Sequence, residues 1–468
     1  MWSRRAPARR ARITLARVTP SRRHHARPPR PPGRWRRLLL GCAAGAGALA
    51  LVAGVVAVVD AVREPSVQRI AYFADWNTAN RGYRIKDVAD SGAADRLTRL
   101  MWAFGEISPE GRCHIPVAGS RAWEVYQRRY SAEDSVDGRA DTYEQPLAGG
   151  LNQLRKLRES HPSLGASISL GGWNTSTHFS TAARTEESRR EFVRSCVDLW
   201  LRGDLPVADG EPQGGAGAAA GVFDGVDLDW EWPGGDGHPD NTEHPADRRN
   251  FTLLVAEFRR QLDALAEETG REYTLSVSLA GDEERMRESY EPEAFGPVDF
   301  ATVQGYDLTG PWSQTTGHHS QLYTPRGAPE EESVDSVVRA YLDHGLPAEK
   351  LVVGFPGFGR GWQGVETGAD ASFGRFAPAP EPAEGDYGEG AASYADLERR
   401  SGRRFHDESS GSQWLVSGDE WWSYDTPEVV AQKAEYVRQH DLGGLMLWNL
   451  DMDPEGELVR AMDDHLGW

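Results

Sequence analysis

Eight short apolar runs alternate with stretches of helical pattern from residue 66 onward, and this alternation restricts the possible folds more than any other feature. The runs are the candidate strands 70–76, 100–107, 164–170, 222–231, 273–280, 300–306, 351–355 and 443–448. Several of the intervening stretches are amphipathic. In one of them apolar side chains recur at helical spacing, namely Phe251, Leu254, Val255, Phe258, Leu262 and Leu265. Alternating strands and helices predict parallel strands joined by crossover helices.

Eight such units in about 400 residues fit a closed (β/α)8 barrel with insertions. An open doubly wound sheet is the alternative, but no Gly-rich phosphate loop follows the first run. The stretch at about 363–421, between the last two runs, has a Pro-rich opening at 378–382 and is too long for an ordinary barrel loop. We therefore predict a barrel domain at 66–468, of the α/β class, that carries a small α+β insertion near its C-terminal end.

The N-terminal part of the chain has a different composition. Residues 1–37 contain 13 of the 52 Lys and Arg residues and no Asp or Glu, which predicts a basic, disordered tail. The uncharged segment 38–59 follows and is long enough to cross a bilayer as a helix. It is interpreted as a transmembrane signal anchor with the N-terminus inside, or alternatively as a cleaved signal peptide. Either interpretation places the barrel on the extracellular side, membrane-anchored in the first case and secreted in the second.

The remainder of the chain is strongly acidic. Beyond the basic tail, 39 basic residues face 71 acidic ones, a formal charge of 39 − 71 = −32. Like charges repel, so nucleic acid is not expected as a partner. Cys113 and Cys196 are the cysteines beyond residue 59. In an exported domain they could pair, but a free buried thiol is an equally good interpretation.

The chemistry concentrates in the segment Phe-Asp-Gly-Val-Asp-Leu-Asp-Trp-Glu-Trp-Pro at 223–233. Side chains on a strand alternate between its two faces, so Asp227, Asp229 and Glu231 share one face. The other face is apolar and suits packing against helices, which leaves the acidic face pointing into the barrel. Like charges so close together raise at least one pKa. Glu231, at the C-terminal end of the strand, is thus a candidate proton donor.

Two other interpretations compete with catalysis. A solvated acidic edge is one, but the flanking residues are bulky and apolar. A carboxylate-only metal site is the other, although no His is interleaved. We therefore favour catalysis and expect neither a metal nor another cofactor.

The acidic segment closely resembles the signature of family 18 glycoside hydrolases, the chitinase family, Asp-x-x-Asp-x-Asp-x-Glu. Other segments resemble the family's motifs in the same order. They are Ser-Leu-Gly-Gly-Trp at 169–173, Gln-Gly-Tyr-Asp at 304–307, Thr-Gly-His-His-Ser at 316–320, Gly-Arg-Gly-Trp at 359–362 and Gly-Gly-Leu-Met-Leu-Trp at 443–448. The resemblance extends over about residues 70–453. The insertion matches the position of the subdomain that lines the cleft in one branch of the family.

The resemblance implies a retaining, substrate-assisted hydrolysis of β-1,4-linked N-acetylglucosamine polymers such as chitin. Glu231 would protonate the glycosidic oxygen, while the substrate's own acetamide oxygen attacks the anomeric carbon. Asp229 would hold the acetamide N–H, and Asp227 would be its buried partner. Tyr306 would bind the acetamide oxygen. The implied sugar contacts are Asp307, Arg360 and Trp448, the last as the floor beneath the ring. Further candidates for stacking on sugars are Phe104, Trp173, Trp312 and Trp362, and each of these could equally belong to the core.

Gln304 departs from the family pattern, which often has Met at this position. A polar side chain there needs partners and can change the fit around the substrate, so Gln304 is also a candidate contact. Two alternatives to a chitinase remain: an endo-N-acetylglucosaminidase-type enzyme acting on other N-acetylglucosamine glycans, and a non-catalytic chitin-binding lectin. Such lectins typically lack the terminal Glu of the signature, which this chain keeps as Glu231. The enzyme is expected to act as a monomer.

Overall fold

A computed structural model describes residues 67–117, 119–328, 332–366, 373–379 and 381–467. The basic tail at 1–37 and the uncharged segment at 38–59 lie outside these residues, so both interpretations of that segment stay predictions. Among the described residues, no helix is both long and apolar enough to span a membrane.

A closed barrel of parallel strands forms the centre of the described chain. In chain order its eight strands are Gln68–Ala74, Arg99–Ile107, Gly165–Gly171, Gly225–Asp229, Thr274–Leu279, Phe300–Val303, Leu351–Pro356 and Gly444–Trp448. Neighbouring strands pair in parallel, and the first pairs with both the second and the last, which closes the sheet. The predicted (β/α)8 barrel is confirmed, and each of the eight apolar runs supplies one strand.

Helices lie between successive strands, as the alternating pattern predicts. The principal crossover α-helices are Ile85–Asp90, Gly149–Ser160, Glu186–Cys196, Asp247–Thr269, Glu283–Ser289, Val334–Asp343 and Pro427–Gln439, and Glu457–Leu466 follows the last strand. Shorter helical segments are Trp76–Asn80, Trp123–Gln127, Phe179–Ala183, Val197–Leu201, Pro292–Phe295, Ala348–Lys350, Tyr394–Arg399 and Leu450–Met452. Helix Asp247–Thr269 buries the six apolar residues predicted for it and ends at Gly270, whose positive φ of 68° suits glycine.

The fourth strand separates an apolar layer from a polar interior. Val226, Leu228 and Trp230 belong to the apolar cluster between strands and helices, where the Trp230 ring stacks on Phe179 at 5.2 Å between ring centroids. The acidic residues therefore have only the barrel interior to face. Burying the indole and its aliphatic neighbours stabilises this strand orientation by several kcal/mol, about 1.5–3 kcal/mol for each fully buried large side chain.

Four barrel strands end earlier than their apolar runs, and two of them, the fourth and the sixth, leave predicted site residues past the strand end. The fourth ends at Asp229, so Glu231 lies two residues beyond it, and the Glu231 N–H donates to Ser176 Oγ at 3.1 Å. The sixth strand ends at Val303, so Gln304 also lies past the strand. In both runs the apolar pattern continues into a loop at the C-terminal face, which is where barrel enzymes carry their reactive residues.

The chain segment between the seventh and eighth barrel strands forms a second, antiparallel sheet. Its strands are Phe358–Gln363, Glu381–Pro382, Ala391–Ser393, Arg403–Asp407, Ser412–Ser417 and Glu420–Tyr424, beside a small hairpin of Glu384–Gly385 and Gly388–Glu389. It has an apolar cluster of its own that includes Trp362, Trp414 and Trp421. The sheet begins five residues before and ends three residues after the predicted bounds of 363–421, because its first strand follows the seventh barrel strand with only Gly357 between them.

A disulfide bond joins Cys113 to Cys196, with 4.9 Å between their Cα atoms. Cys113 lies on the short strand Cys113–His114, which pairs with the second barrel strand, and Cys196 ends the helix Glu186–Cys196. The sequence left pairing and a free thiol open, and the paired state is the one found. Disulfides persist in oxidising compartments, which agrees with a barrel outside the cytoplasm.

Candidate active site

The fourth strand places a ladder of three buried carboxyl groups along the barrel axis. Asp227, Asp229 and Glu231 are 0%, 3% and 8% exposed. Asp227, the deepest, accepts hydrogen bonds from Tyr72 Oη at 2.9 Å and from Ser169 Oγ and Ser276 Oγ, both at 2.7 Å. Burial raises the pKa of Asp227, while the three donors stabilise the carboxylate and limit that rise.

Asp229 occupies the middle of the ladder beside two glycines. An added Cβ on Gly171 would lie 2.3 Å from the Asp229 carbonyl oxygen, and that same oxygen accepts a hydrogen bond from the N–H of Gly172 at 2.8 Å. Both glycines have positive φ, 105° and 83°. The Gly-Gly pair of the third-strand motif therefore allows a close backbone approach that a side chain would prevent.

The carboxyl group of Asp229 is buried, and one of its two oxygens lacks a partner among the described residues. Its Oδ1 atom has no hydrogen-bond partner within the described protein. Burial raises the pKa of Asp229 well above its usual range, and the nearby Glu231 and Asp227 raise it further. An unpartnered acceptor in a buried site is costly unless a ligand satisfies it. The arrangement leaves Asp229 ready to accept an N–H from a bound molecule.

Glu231 lies at the mouth of the ladder, held through its backbone. Its carbonyl oxygen accepts a hydrogen bond from Asn241 Nδ2 at 2.7 Å, and its Oε1 atom accepts one from Gln304 Nε2 at 3.2 Å. Burial raises the pKa of Glu231 to about 7, although the Gln304 hydrogen bond acts in the opposite direction. Because Asp229 and Glu231 are neighbours, the pair titrates as a unit and retains a proton near neutral pH.

Tyr306 and Asp307 line the cleft just beyond the sixth strand. Tyr306 is almost fully buried, and burial together with Asp229 and Glu231 raises the pKa of its hydroxyl, which therefore stays a hydrogen-bond donor at neutral pH. Asp307 has a positive φ of 59° and accepts two hydrogen bonds from Arg360, at 2.7 and 2.8 Å. Burial opposes ionisation of Asp307, but Arg360 and His319 outweigh it and hold the pKa of Asp307 below its usual value.

Aromatic side chains form the floor of the cleft. The Trp448 and Phe104 rings stack at 5.6 Å between centroids with 18° between their planes, and the Trp76 ring also stacks on Phe104, at 5.7 Å. Two more rings project into solvent: Trp173 is 45% exposed and Trp312 64%. Exposed indole faces that open onto a cleft are suited to the apolar faces of pyranose rings.

One cleft of about 1140 Å³ brings these side chains together. It contains ten of the twelve site residues predicted from the sequence. They are Phe104, Trp173, Asp229, Glu231, Gln304, Tyr306, Asp307, Trp312, Arg360 and Trp448. The eleventh, Asp227, is the deepest carboxyl group of the ladder and does not line the cleft. The twelfth, Trp362, belongs to the apolar cluster of the second sheet. Within the described ranges, no group of three or more His, Cys, Asp or Glu side chains has the arrangement of a metal site.

Several residues of the site were not predicted from the sequence. Tyr72 and Ser276 support Asp227 from the first and fifth strands, and Trp76, Arg121 and Tyr387 line the cleft. The only available signal was a polar atom at an inward position of an apolar run, as in Tyr72. That signal does not identify the partner, since the hydrogen bond joins residues 155 positions apart.

The closed (β/α)8 barrel and its acidic, aromatic-floored cleft define the class of fold and site, and comparison with known proteins identifies the family. The family model described as glycosyl hydrolases family 18 matches residues 68–453, and the chain belongs to this family.

Three proteins illustrate the similarity. The chain is 32% identical to Chitinase C of Streptomyces lividans, over 82% of this chain and 57% of that protein. It is 32% identical to Chitinase 63 of Streptomyces plicatus, over 85% and 60%. The solved catalytic domain of psychrophilic chitinase B from Arthrobacter TAD20 is 38% identical, with a TM-score of 0.81 over 86% of this chain and 95% of that domain. The chain thus spans less than two thirds of the length of both Streptomyces relatives.

Proposed function

We propose that the protein hydrolyses β-1,4-linked N-acetylglucosamine polymers, chitin and chito-oligosaccharides, with retention of configuration. The observation that carries this proposal is Glu231, a buried carboxylic acid whose pKa burial raises to about 7, facing an aromatic-floored cleft. An acid that keeps its proton near neutral pH can protonate a leaving oxygen. The relatives at 32–38% identity carry the name chitinase, which supports this substrate class.

The proposed reaction begins with proton transfer. Glu231 donates its proton to the glycosidic oxygen as the bond from that oxygen to the anomeric carbon breaks. The acetamide oxygen of the same sugar forms a new bond to the anomeric carbon on the opposite face, giving an oxazolinium intermediate. Water then attacks that carbon and gives its proton to the Glu231 carboxylate. The acetamide is released, and the configuration is retained.

Asp229 supports the nucleophile in this scheme. Its unpartnered Oδ1 would accept the acetamide N–H, and the negative charge would stabilise the oxazolinium. Asp227 lies below it with three hydrogen-bond donors and is the buried group that Asp229 can turn towards. Tyr306 Oη would donate to the acetamide oxygen, and its raised pKa keeps that hydroxyl protonated.

The remaining cleft residues would bind sugars. Trp448 would lie beneath the sugar ring that carries the acetamide. Asp307, held by Arg360, would accept a hydrogen bond from a hydroxyl of the same sugar. Phe104 extends the aromatic floor on one side of the ladder. The exposed indoles of Trp173 and Trp312 would stack on sugars farther along the chain.

Exchange of Glu231 for Gln tests the proposal. The amide preserves the shape of the side chain but cannot donate an acidic proton, so Glu231→Gln should lose at least about 10²-fold in kcat. Binding of chito-oligosaccharides should persist. Glu288→Gln, on the exposed face of helix Glu283–Ser289, is the matched control and should retain wild-type turnover.

Product analysis separates the alternatives. Chito-oligosaccharides should be cut to products that first form as the β-anomer, while cellulose and fully deacetylated chitosan should stay intact because they lack the nucleophile. Binding without any cleavage by the wild-type protein would indicate a lectin. Cleavage of N-glycans in place of chitin oligomers would indicate an endo-N-acetylglucosaminidase-type enzyme.

We also propose that the barrel works outside the cytoplasm as a monomer, tethered through the segment 38–59. The Cys113–Cys196 disulfide supports an oxidising compartment. The Arg-rich tail before an uncharged segment supports a membrane anchor with its N-terminus inside. Cell fractionation with N-terminal sequencing tests the tether, and a soluble extracellular form starting near residues 61–66 would show cleavage instead.

A further inference from the structure

Gln304 contacts the proposed acid directly. Its Nε2 atom lies 3.2 Å from Glu231 Oε1 and 3.4 Å from Ser278 Oγ, and both atoms accept from it. The Gln304 backbone is fixed as well, because its N–H donates to the Leu279 carbonyl oxygen at 3.0 Å. The amide is thus held between the carboxyl group at the mouth of the ladder and a serine of the fifth strand.

Ser278 extends this contact to the second carboxyl group. Its hydroxyl hydrogen-bonds to Asp229, and this bond limits the rise that burial causes in the pKa of Asp229. The Gln304 amide therefore contacts Glu231 directly and Asp229 through one hydroxyl. Methionine, the residue often found at this position in the family, has no N–H to offer to either group.

The hydrogen bond favours one protonation state of Glu231. An N–H donor stabilises a carboxylate more strongly than a neutral carboxylic acid, because the bond to the ion is charge-assisted. Burial raises the pKa of Glu231, and Gln304 is the strongest of the influences that lower it. The charged and titratable groups that face Glu231 from the surrounding elements are Asp229, Arg285, Tyr290, Tyr306 and Asp307. Asp307 acts in the same direction as burial, whereas Arg285 acts with Gln304.

We propose that Gln304 is a positioning residue that aims the Glu231 carboxyl group at the glycosidic oxygen and sets the upper pH limit of the reaction. This inference rests on the proposed function. When Glu231 gives up its proton, the O–H bond breaks and the carboxylate that remains accepts the Gln304 N–H. The bond is therefore stronger after proton transfer than before it, and it assists the bond-breaking step.

The test compares Gln304→Met with the wild type across pH. Loss of one charge-assisted hydrogen bond should raise the pKa of Glu231, moving the alkaline limb of kcat/KM upward by about one pH unit. Below that limb, kcat should fall about tenfold because the product carboxylate loses its donor. Gln304→Leu, a second variant without an N–H, should show the same two changes.

Gln261→Met is the matched control. Gln261 lies on helix Asp247–Thr269 and does not line the cleft. Its amide donates to the Arg190 carbonyl oxygen and to Glu257. This variant should leave the pH profile unchanged. If the alkaline limb of folded Gln304→Met stays in place, the proposal is overturned. A downward movement overturns it too, because it would mean that Glu231 donates to the amide oxygen.

A second readout does not require turnover. Titration of ¹³C-carboxyl-labelled glutamate in the purified full chain, with the Glu231 signal assigned by its absence in Glu231→Gln, reports the pKa in the free protein. The midpoint should move upward by about one unit in Gln304→Met. If wild-type protein cleaves no chitin oligomer while this midpoint still moves, the proposed function fails, and only the effect of Gln304 on the pKa of Glu231 stands. An unmoved midpoint overturns that role alone.

Discussion

The cleft contains two groups of carboxyl side chains in opposite electrostatic settings. Asp229 and Glu231 lie in the barrel interior, where burial raises both pKa values, and neither forms an ion pair within the described part of the chain. Asp307 lies nearby at the rim and accepts two hydrogen bonds from Arg360, which holds its pKa below the usual range. The Asp229–Glu231 pair therefore retains one proton near neutral pH, whereas Asp307 stays ionised.

This difference separates two tasks. A proton donor for the leaving oxygen needs a high pKa, whereas a carboxylate that binds sugar hydroxyls works as a permanent acceptor. Where two neighbouring titratable groups have pKa values shifted in opposite directions, the two groups commonly have different roles in the reaction. We therefore propose that the ladder is the reactive region of the cleft and the Asp307–Arg360 pair a binding region, and four tests can break or sharpen this division.

The largest effect is expected for Asp229→Asn in the ladder. The amide cannot supply the negative charge that stabilises the oxazolinium, so kcat should fall about 10²–10³-fold, the usual effect of removing one strong electrostatic contact to the transition state. Single-turnover rates on a chito-oligosaccharide measure this loss. Asp209→Asn, at an exposed position, is the control and should match the wild type. A fall of less than about threefold would show that Asp229 does not contact the reacting sugar.

The pH dependence of the wild type should follow the ladder and not the ion pair. Glu231 must carry a proton to act, and burial raises its pKa to about 7. As pH rises through that value the protonated fraction decreases, so kcat/KM should drop about tenfold for each further pH unit. Rates measured between about pH 5 and pH 9 give the limb. A flat profile across this whole range would contradict the assignment of Glu231 as the acid.

Arg360→Met should convert the binding region into a weaker and pH-sensitive one. Arg360 lowers the pKa of Asp307, and without it that pKa rises. Asp307 is then lost as an acceptor when pH falls below its new, higher pKa, whereas in the wild type it stays ionised. KM should increase about tenfold at neutral pH and further towards about pH 4, with kcat little changed. A fall in kcat equal to that of Asp229→Asn would erase the proposed division.

The ladder could be predicted from the sequence because its logic is local. Period-two alternation on one strand fixes which side chains share a face, so Asp227, Asp229 and Glu231 needed only the fourth run to be assigned. The eight apolar runs gave the barrel for the same reason. What the structure adds to this prediction is the position of Glu231 past the strand end, where its backbone N–H donates to Ser176 and not to a neighbouring strand.

The binding region could be predicted only in part, because its contacts join distant parts of the chain. Both Asp307 and Arg360 were named as site residues through the family resemblance, but their bidentate pairing depends on where the first strand of the second sheet lies. The hydrogen bonds from Tyr72 and Ser276 to Asp227 also join distant parts of the chain, because these residues lie on three strands that meet only when the barrel closes. Neither periodicity nor composition carries that information.

Trp312→Ala should have the smallest effect of the four tests. It asks most directly whether the ladder and the binding region act independently. The Trp312 indole is 64% exposed, and the Arg360 guanidinium lies over its ring at 5.4 Å from the centroid. Its removal takes away one stacking surface but leaves both hydrogen bonds from Arg360 to Asp307 in place. One sugar–aromatic contact at an exposed position contributes about 1 kcal/mol, so KM should rise about threefold to fivefold for long oligomers.

Substrate length provides the control for this last variant. An oligomer too short to reach Trp312 should be cleaved by Trp312→Ala with wild-type kcat and KM, because the sugars of such an oligomer contact only the ladder side of the cleft. Trp448→Ala, whose ring stacks on Phe104 beside the ladder, should instead impair short and long oligomers alike. If Trp312→Ala lowers kcat for the short substrate, then the exposed indole acts on the ladder through Arg360, and the two regions of the cleft are one coupled site.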